Sequence, residues 1–190
     1  MASRNLDRDT IVRAALDILA DRGLAGVTLR NVAAAVGARA PSLYWHVADK
    51  GALFGLMSEA VFKQSLEQVP PSGDWRDWLR GLGISVWRTQ RRTPDVHQLM
   101  MQSAMNPAVL RGFTARIVGE LTARGLDPAL AFEAQKSILA LATGWTIMPN
   151  DPAFHDNPPE QSFLHCLDAV IRGWDHERPE EHPFIPTLTN

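Results

Sequence analysis

The chain has a single cysteine and no long apolar run. One cysteine, Cys166, excludes an internal disulfide framework and any zinc site built from several cysteines. No window approaches the roughly 18 consecutive uncharged apolar residues that a membrane-spanning helix needs. The N-terminal MASRNLDRDT carries charge where a secretory signal needs an apolar stretch. We therefore expect a cytoplasmic protein.

Motifs of common enzymes are also absent. The sequence contains no GxSxG, no P-loop, no GxGxxG after a strand and no paired-carboxylate cluster. The one grouping of acids with a histidine, at Asp151, His155 and Asp156, lies in a proline-rich segment. No histidine has a partner at HExxH or zinc-finger spacing. We predict no enzyme activity, no structural metal and no cofactor.

The net charge of −2 over 190 residues conceals an asymmetry along the chain. Residues 1–50 hold seven basic and five acidic residues, which gives +2, whereas residues 51–190 hold 12 basic and 16 acidic residues, which gives −4. A basic head on an acidic body suggests that the head binds a polyanion and the body does not. The overall composition, with 45% hydrophobic and 21% charged residues, is ordinary for a globular protein.

Apolar residues recur at helical spacing almost throughout, and no alternation typical of a strand is present. The predicted fold class is all-α with about nine helices. Thr28 and Asp49 are candidate N-caps, and three cap–proline pairs, at 93–94, 106–107 and 127–128, mark further helix starts. The sequence divides into a three-helix head (residues 1–48), a connecting helix (49–69) and an all-helical body (70–190).

The segment from Thr28 to Leu53, TLRNVAAAVGARAPSLYWHVADKGAL, has the layout of a helix-turn-helix. In such motifs the second helix enters the major groove of DNA. That short helix, from about Pro41 to His46, ends in three consecutive large side chains, and successive residues turn by about 100°. The three cannot all face one core, so at least one must point outward. Leu43 and Val47 are the better core candidates.

This segment resembles the TetR (tetracycline repressor) family of bacterial transcription regulators. The residues that carry the resemblance are Thr28-Leu29-Arg30-x-Val32-Ala33 and Gly37-x-x-x-x-Ser42-Leu43-Tyr44-x-His46-Val47-x-x-Lys50-x-x-Leu53. The run LYWHVADKGAL is especially similar to the tetracycline repressors proper. The resemblance implies an N-terminal helix-turn-helix DNA-binding domain and a C-terminal helical domain for ligand binding and dimerisation.

The resemblance also implies which side chains contact double-stranded DNA. Phosphate contacts, groove contacts and groove-edge contacts together give these candidates: Thr28, Arg30, Arg39, Ala40, Pro41, Ser42, Tyr44, Trp45, His46 and Lys50. Arg39 stands where a serine is frequent, and it can bind either guanine or a phosphate. For other candidates an ordinary role stays open: Tyr44 and Trp45 can pack within the head, and His46 can bond a backbone carbonyl.

Helices near 128–148 and 160–174 carry wide apolar stripes, which need partners on several sides. Two such helices per chain can pair with their two-fold copies as a four-helix bundle, as the resemblance also implies. The predicted interface residues are Leu130, Ala134, Ile138, Leu141, Phe163, Leu167, Val170, Ile171 and Trp174. An intramolecular core is the alternative. A homodimer would read a pseudo-palindromic operator, because its two recognition helices reach successive major grooves.

The body is rich in methionine and tryptophan, residues that can line a cavity for an apolar or aromatic ligand. The predicted pocket residues are Trp78, Trp87, His97, Met100, Met101, Met105, Phe113, Gln135, Thr143 and Trp145. A plain core is the alternative for each. We expect a repressor that a small hydrophobic inducer releases from DNA. A transcriptional activator or an architectural DNA binder without a ligand is the alternative, since repression follows from the resemblance alone.

Overall fold

The computed structural model describes residues 6–148 and 159–176, and within these ranges the chain forms nine α-helices and no strand. The helices are α1 (Arg8–Gly26), α2 (Leu29–Ala35), α3 (Ala40–Leu43), α4 (Lys50–Glu67), α5 (Trp75–Arg92), α6 (Val96–Met101), α7 (Pro107–Ala123), α8 (Pro128–Ile147) and α9 (Pro159–His176). The predicted all-α class is confirmed. The acid–histidine grouping at 151–156 lies outside the described residues.

The described residues form two compact units that do not follow chain order. Residues 6–67 and 88–110 form the first unit, and residues 68–87, 111–148 and 159–176 form the second. Helices α5 and α7 each contain residues of both units. Helix α6 therefore groups with the N-terminal helices, although its position in the sequence suggested the body. The boundaries of the functional domains stay a prediction.

Four of the nine helices in the described ranges, α2, α4, α7 and α8, begin at a predicted capping side chain. The carboxylate of Asp49 accepts a hydrogen bond from the Ala52 N–H at 2.7 Å, at the start of α4. Asn106 and Asp127 do the same at the starts of α7 and α8, with N–O distances of 2.8 Å to the second helical residue. In both cases the proline at the first helical position loses nothing, because its missing N–H would have had no partner there.

The prediction that Thr93 caps a helix starting at Pro94 is wrong. Helix α6 begins at Val96, and the residue before it is Asp95. The Thr93 hydroxyl donates a hydrogen bond backward to the Thr89 carbonyl oxygen at 2.9 Å. The side chain therefore contributes to the end of α5 and does not start the next helix.

Each unit has its own apolar core. In the first, α1, α2, α3, α4 and α6 meet around fully buried Ile11, Leu43, Leu53 and Leu99. In the second, α8 and α9 pack together, and the close approach of Gly83 on α5 to Leu167 and Ile138 brings in a third helix. None of the helices in the described ranges combines the length and the apolarity needed to cross a membrane.

Candidate nucleic-acid interface

The start of helix α2 is built by side-chain hydrogen bonds of Thr28 and Asn31. The Thr28 hydroxyl oxygen accepts a hydrogen bond from the Asn31 N–H at 3.1 Å, as an N-cap does. The Asn31 side-chain amide donates to the Gly26 carbonyl oxygen at 2.8 Å and so ties α2 to the preceding turn. Arg30 points into solvent. Thr28 and Arg30 thus lie at one exposed helix start, where backbone N–H groups and the helix dipole favour an anion.

The turn between α2 and α3 depends on Gly37. This residue has a φ of 68°, in the left-handed region that glycine adopts without steric penalty. Helix α3 is shorter than predicted: it ends at Leu43, and Tyr44 to His46 continue as turns. The Leu43 carbonyl oxygen accepts hydrogen bonds from the His46 and Val47 N–H groups at 2.9 Å each, and these bonds close the turn.

The aromatic side chains after α3 divide as the helical geometry requires. Leu43 and Val47 are 0% and 2% exposed, and both belong to the core of the first unit. Tyr44 is 57% exposed and Trp45 is 90% exposed. The prediction that at least one of these side chains points outward is confirmed. The alternative that Trp45 packs within the head does not hold in the single chain.

His46 is half-buried and lies near the start of α1. The pKa of Asp7, the N-cap of α1, is lowered mainly by hydrogen bonds from Thr10 and further by the positive charges of Arg13 and His46. These residues place the N-terminus of α1 beside the turn that follows α3.

The residues that lead into α3 carry the most direct candidates for groove contact. Arg39 is exposed, and its side chain makes no capping hydrogen bond to α3. Pro41 and Ser42 are also exposed. Ala40 differs, because it is half-buried and packs against the head core. Its methyl group is therefore the poorest of the predicted groove contacts.

Lys50, at the start of α4, has an exposed side chain, and its ammonium nitrogen lies 5.0 Å from the centre of the Phe54 ring. The exposed Lys50 side chain can therefore reach a phosphate with little rearrangement. Arg30, Arg39 and Lys50 are thus exposed cations of the helix-turn-helix segment that also exposes Tyr44 and Trp45, and their role in DNA binding stays a prediction.

The predicted pocket residues do not form a single cluster within one unit. Trp78, Trp87 and Gln135 are buried in the second unit, and Phe113, Thr143 and Trp145 are half-buried there. His97, Met100, Met101 and Met105 belong to the first unit. Within that group His97 is exposed and Met101 is 74% exposed, which is incompatible with lining an enclosed cavity in their own unit. Met100 and Met105 are half-buried.

An aromatic cluster in the second unit joins two of the predicted pocket residues. Trp87 stacks on Phe163 with ring centres 4.6 Å apart, and Trp145 tilts against the same ring at 5.9 Å. Gln135 is 2% exposed, and its side-chain oxygen has no hydrogen-bond partner among the described residues. No group of three or more His, Cys, Asp and Glu side chains within the described ranges is placed to hold a metal.

Six of the nine predicted interface residues lie inside the single chain. These are Leu130, Ala134, Ile138, Phe163, Leu167 and Ile171, with at most 7% exposure. In the single chain they pack the core of the second unit, as the intramolecular alternative expects, and the homodimer interface stays a prediction. Leu141, Val170 and Trp174 are half-buried, and the Trp174 ring N–H donates to the Ser137 hydroxyl at 2.8 Å.

Helix α8 exposes the arc opposite to the one that carries buried Leu130, Ala134 and Ile138. Phe132, Ala140 and Ile147 are exposed along it, and Leu139 is half-buried between them. These residues recur at helical spacing on one face. The sequence analysis missed this arc because α8 is apolar on most sides, and periodicity alone cannot tell which arc is covered within the chain.

Comparisons with known proteins agree with this architecture. A family model described as bacterial regulatory proteins, tetR family, matches residues 11–57. The chain is similar to tetracycline repressor protein class G of Vibrio anguillarum, with 32% identity over 175 residues, covering 85% of this chain and 82% of that protein. It is also similar to tetracycline repressor protein class C of Escherichia coli, with 36% identity over 85 residues, covering 44% of this chain and 39% of that protein.

A solved structure shares the fold. It is a TetR variant from Acinetobacter baumannii AYE in complex with minocycline, with a TM-score of 0.72 and 23% identity over 90% of this chain and 97% of that one. The resemblance inferred from residues 28–53 is thereby extended to the whole architecture. Members of this family are DNA-binding transcriptional regulators and not enzymes. The chain therefore belongs to the TetR family of bacterial regulatory proteins.

Proposed function

We propose that this chain is a cytoplasmic repressor that binds a pseudo-palindromic operator as a homodimer and leaves it when a small apolar or aromatic inducer binds. The observation that carries the proposal is the surface after α3, where Trp45 is 90% exposed beside Tyr44 while Leu43 and Val47 anchor the turn in the core. An almost fully exposed tryptophan offers a large apolar surface, and a partner that covers it gains the free energy of burying that surface. A DNA groove edge, flanked by phosphates, suits both its apolar ring and the exposed cations of the same segment, Arg39 and Lys50.

Specific DNA contacts are assigned to the start of α3. The Arg39 side chain makes no capping hydrogen bond to α3 and can donate two hydrogen bonds to guanine. Arg30 and Lys50 neutralise phosphates, and Thr28 forms a hydrogen bond to a phosphate. Because one recognition helix reads only a few base pairs, two copies of the chain are required. We assign their contact to the exposed arc of α8, from Phe132 to Ile147, which a second copy can cover by the same arc.

Inducer binding is assigned to the second unit. The aromatic cluster of Trp87, Phe163 and Trp145 supplies flat apolar surface, and the Gln135 side-chain oxygen supplies a buried acceptor. A buried acceptor without a protein partner favours a bound ligand or water with a donor group. The minocycline complex of the similar A. baumannii structure supports a ligand-responsive protein of this architecture.

DNA binding is tested first by selection. A duplex is recovered with the wild-type protein from a random-sequence library, and its affinity is measured by fluorescence anisotropy at several salt concentrations. We expect a pseudo-palindromic consensus and an affinity that falls steeply with salt, because each neutralised phosphate contributes about −0.9 to the logarithmic slope. No enrichment of any sequence, together with a flat salt dependence, would contradict the proposal.

The inducer is sought by thermal shift with a library of apolar and aromatic compounds, minocycline included. Each stabilising compound is then added to the complex with the selected duplex. We expect a decrease in DNA affinity of about 5-fold to 150-fold, the range of typical allosteric coupling. Compounds that stabilise the protein but leave DNA affinity unchanged in every case would favour a DNA binder without ligand control.

A further inference from the structure

Asp95, the residue before α6, does not cap its own helix. It occupies the N-cap position of α6, but its side chain makes no capping hydrogen bond there. An aspartate at an N-cap usually accepts a hydrogen bond from the N–H of the second or third helical residue. Asp7 and Asp127 do so at the starts of α1 and α8. The carboxylate of Asp95 is used elsewhere.

That carboxylate binds the end of helix α1. Its Oδ2 atom accepts a hydrogen bond from the Leu24 backbone N–H at 2.7 Å, although the two residues are 71 positions apart in the chain. Leu24 is 4% exposed and belongs to the core of the first unit. A hydrogen bond to an ionised acceptor is stronger than one between neutral groups. The contact therefore ties the Leu24 backbone N–H, near the end of α1, to the residue that precedes α6.

Both sides of this contact have unusual backbone conformations. Asp95 has a φ of 49°, and within the described residues it is the one non-glycine with a positive φ. Gly23 has a φ of 66° and a ψ of −178°, a combination that is essentially limited to glycine. A Cβ at Gly23 would lie 2.8 Å from the Asp95 Oδ2 atom. Strained residues that meet each other persist where the surrounding structure stabilises them, and they often mark functional positions.

The turn held by Asp95 leads directly into helix α2. The Leu24 carbonyl oxygen accepts a hydrogen bond from the Val27 N–H at 3.1 Å, and Val27 is fully buried. The next residue is Thr28, the N-cap of α2. The position and direction of the α2 start are thus set by a turn whose first N–H is bound by Asp95.

We infer that Asp95 is a positioning residue for DNA recognition, which holds the turn between α1 and α2 so that Thr28 and Arg30 face the phosphate backbone. The inference rests on the proposed DNA-binding function. Asp95 lies outside the residues 11–57 that the family model matches. DNA affinity therefore depends on a side chain beyond the helix-turn-helix segment.

Two substitutions of Asp95 separate the hydrogen bond from the backbone strain. Asp95→Gly removes the carboxylate and accepts a positive φ without penalty. Asp95→Asn keeps an acceptor oxygen and also tolerates the left-handed conformation. On the duplex selected by the wild-type protein, we expect Asp95→Gly to bind about tenfold or more weakly and Asp95→Asn to stay within about threefold of the wild type. Loss of a negative charge alone would strengthen binding to DNA, so charge cannot explain a decrease.

A matched control is Asp74→Gly, which removes a carboxylate that accepts a hydrogen bond from the Arg76 N–H at 2.7 Å, at the start of α5 in the second unit. This control should lower the thermal midpoint of the protein and leave its DNA affinity unchanged at a temperature where circular dichroism shows full helicity. Hydrogen exchange of the Leu24 amide should accelerate in Asp95→Gly and not in Asp74→Gly. If Asp95→Gly does not fold, Asp95→Ser, whose side chain is too short to reach the Leu24 N–H, takes its place.

Two results would overturn the inference. One is wild-type DNA affinity in folded Asp95→Gly or its serine substitute, and the other is an equal loss of affinity in Asp95→Asn and Asp95→Gly. A wild-type protein that binds no DNA would overturn the proposed function, and the inference with it, before any variant is compared. The two failures are therefore distinguishable.

Discussion

Trp45 combines large apolar area with almost complete exposure. Because 90% of its surface faces water in the single chain, its removal should leave the free energy of unfolding within about 0.5 kcal/mol of the wild-type value. If the ring meets DNA, Trp45→Ala should still weaken DNA binding. The neighbouring Leu43 is the control, since Leu43→Ala empties a fully buried site and should cost about 2–5 kcal/mol of stability.

These effects are measured by chemical denaturation and by anisotropy on the selected duplex. A large stability loss in Trp45→Ala would show that the ring is packed in solution. Unchanged DNA affinity would remove Trp45 from the interface.

Arg39 tests whether the start of α3 reads bases or only phosphates. If it donates two hydrogen bonds to guanine, Arg39→Gln should cost about 1–3 kcal/mol of discrimination at one base pair in each half-site. If it binds a phosphate, affinity should fall equally for all sequences, and the logarithmic salt slope should become shallower by about 0.9 for each phosphate that is no longer neutralised. Competition binding against single-base variants of the duplex decides between the two. Lys63→Gln, an exposed α4 residue paired with Glu67, is the control and should change neither quantity.

At the scale of helices, a glycine in α4 sets how closely the segment after α6 approaches. A Cβ at Gly55 would lie 2.6 Å from the Ala104 carbonyl oxygen, so Gly55→Ala must displace backbone. We expect it to lower stability by about 1–3 kcal/mol, as overpacking does. Gly119 in α7 has no neighbour within 4 Å of such a Cβ, and Gly119→Ala should stabilise by up to about 1 kcal/mol through helix propensity.

Thermal denaturation of the two variants provides the measurement. We expect the thermal midpoint to fall in Gly55→Ala and to rise in Gly119→Ala, although both variants carry the same chemical change. A stabilising Gly55→Ala would mean that the segment around Ala104 moves aside at no cost.

Helix starts were predictable to the extent that they depend on neighbouring residues. Asp49, Asn106 and Asp127 cap the helices that follow them because each needs only an oxygen and an N–H two or three positions away. Thr93 is not a cap because its hydroxyl donates a hydrogen bond to the Thr89 carbonyl oxygen in the preceding turn of α5, and does not accept one from a following N–H group. The contact of Asp95 with the Leu24 N–H was not predicted, because the two residues are 71 positions apart and no local sequence pattern indicates such a contact.

At the scale of the whole molecule, the exposed arc of α8 predicts how two copies meet. Ile147 is 52% exposed, so Ile147→Glu should leave the fold intact and shift the protein from dimer to monomer. Leu167 is fully buried, and Leu167→Glu should unfold the second unit because an unpaired buried charge is very costly. Light scattering gives the mass and circular dichroism gives the helicity. A folded Ile147→Glu that stays dimeric would place the contact on another surface.

The sequence alone determined the features that depend on spacing within a few residues. These include the all-helical class, the capped starts of α4, α7 and α8, and the outward direction of a ring between buried Leu43 and Val47. Helical geometry fixes such features because residues three and four apart share a face.

Tertiary structure decided the rest. It determined that α6 groups with the head, that Asp95 binds the end of α1, and that Leu130, Ile138 and Leu167 are core while Phe132 and Ile147 face solvent. A helix that is apolar around most of its girth does not specify which arc is covered. Only the packing of distant segments removes one arc from water and leaves the other exposed.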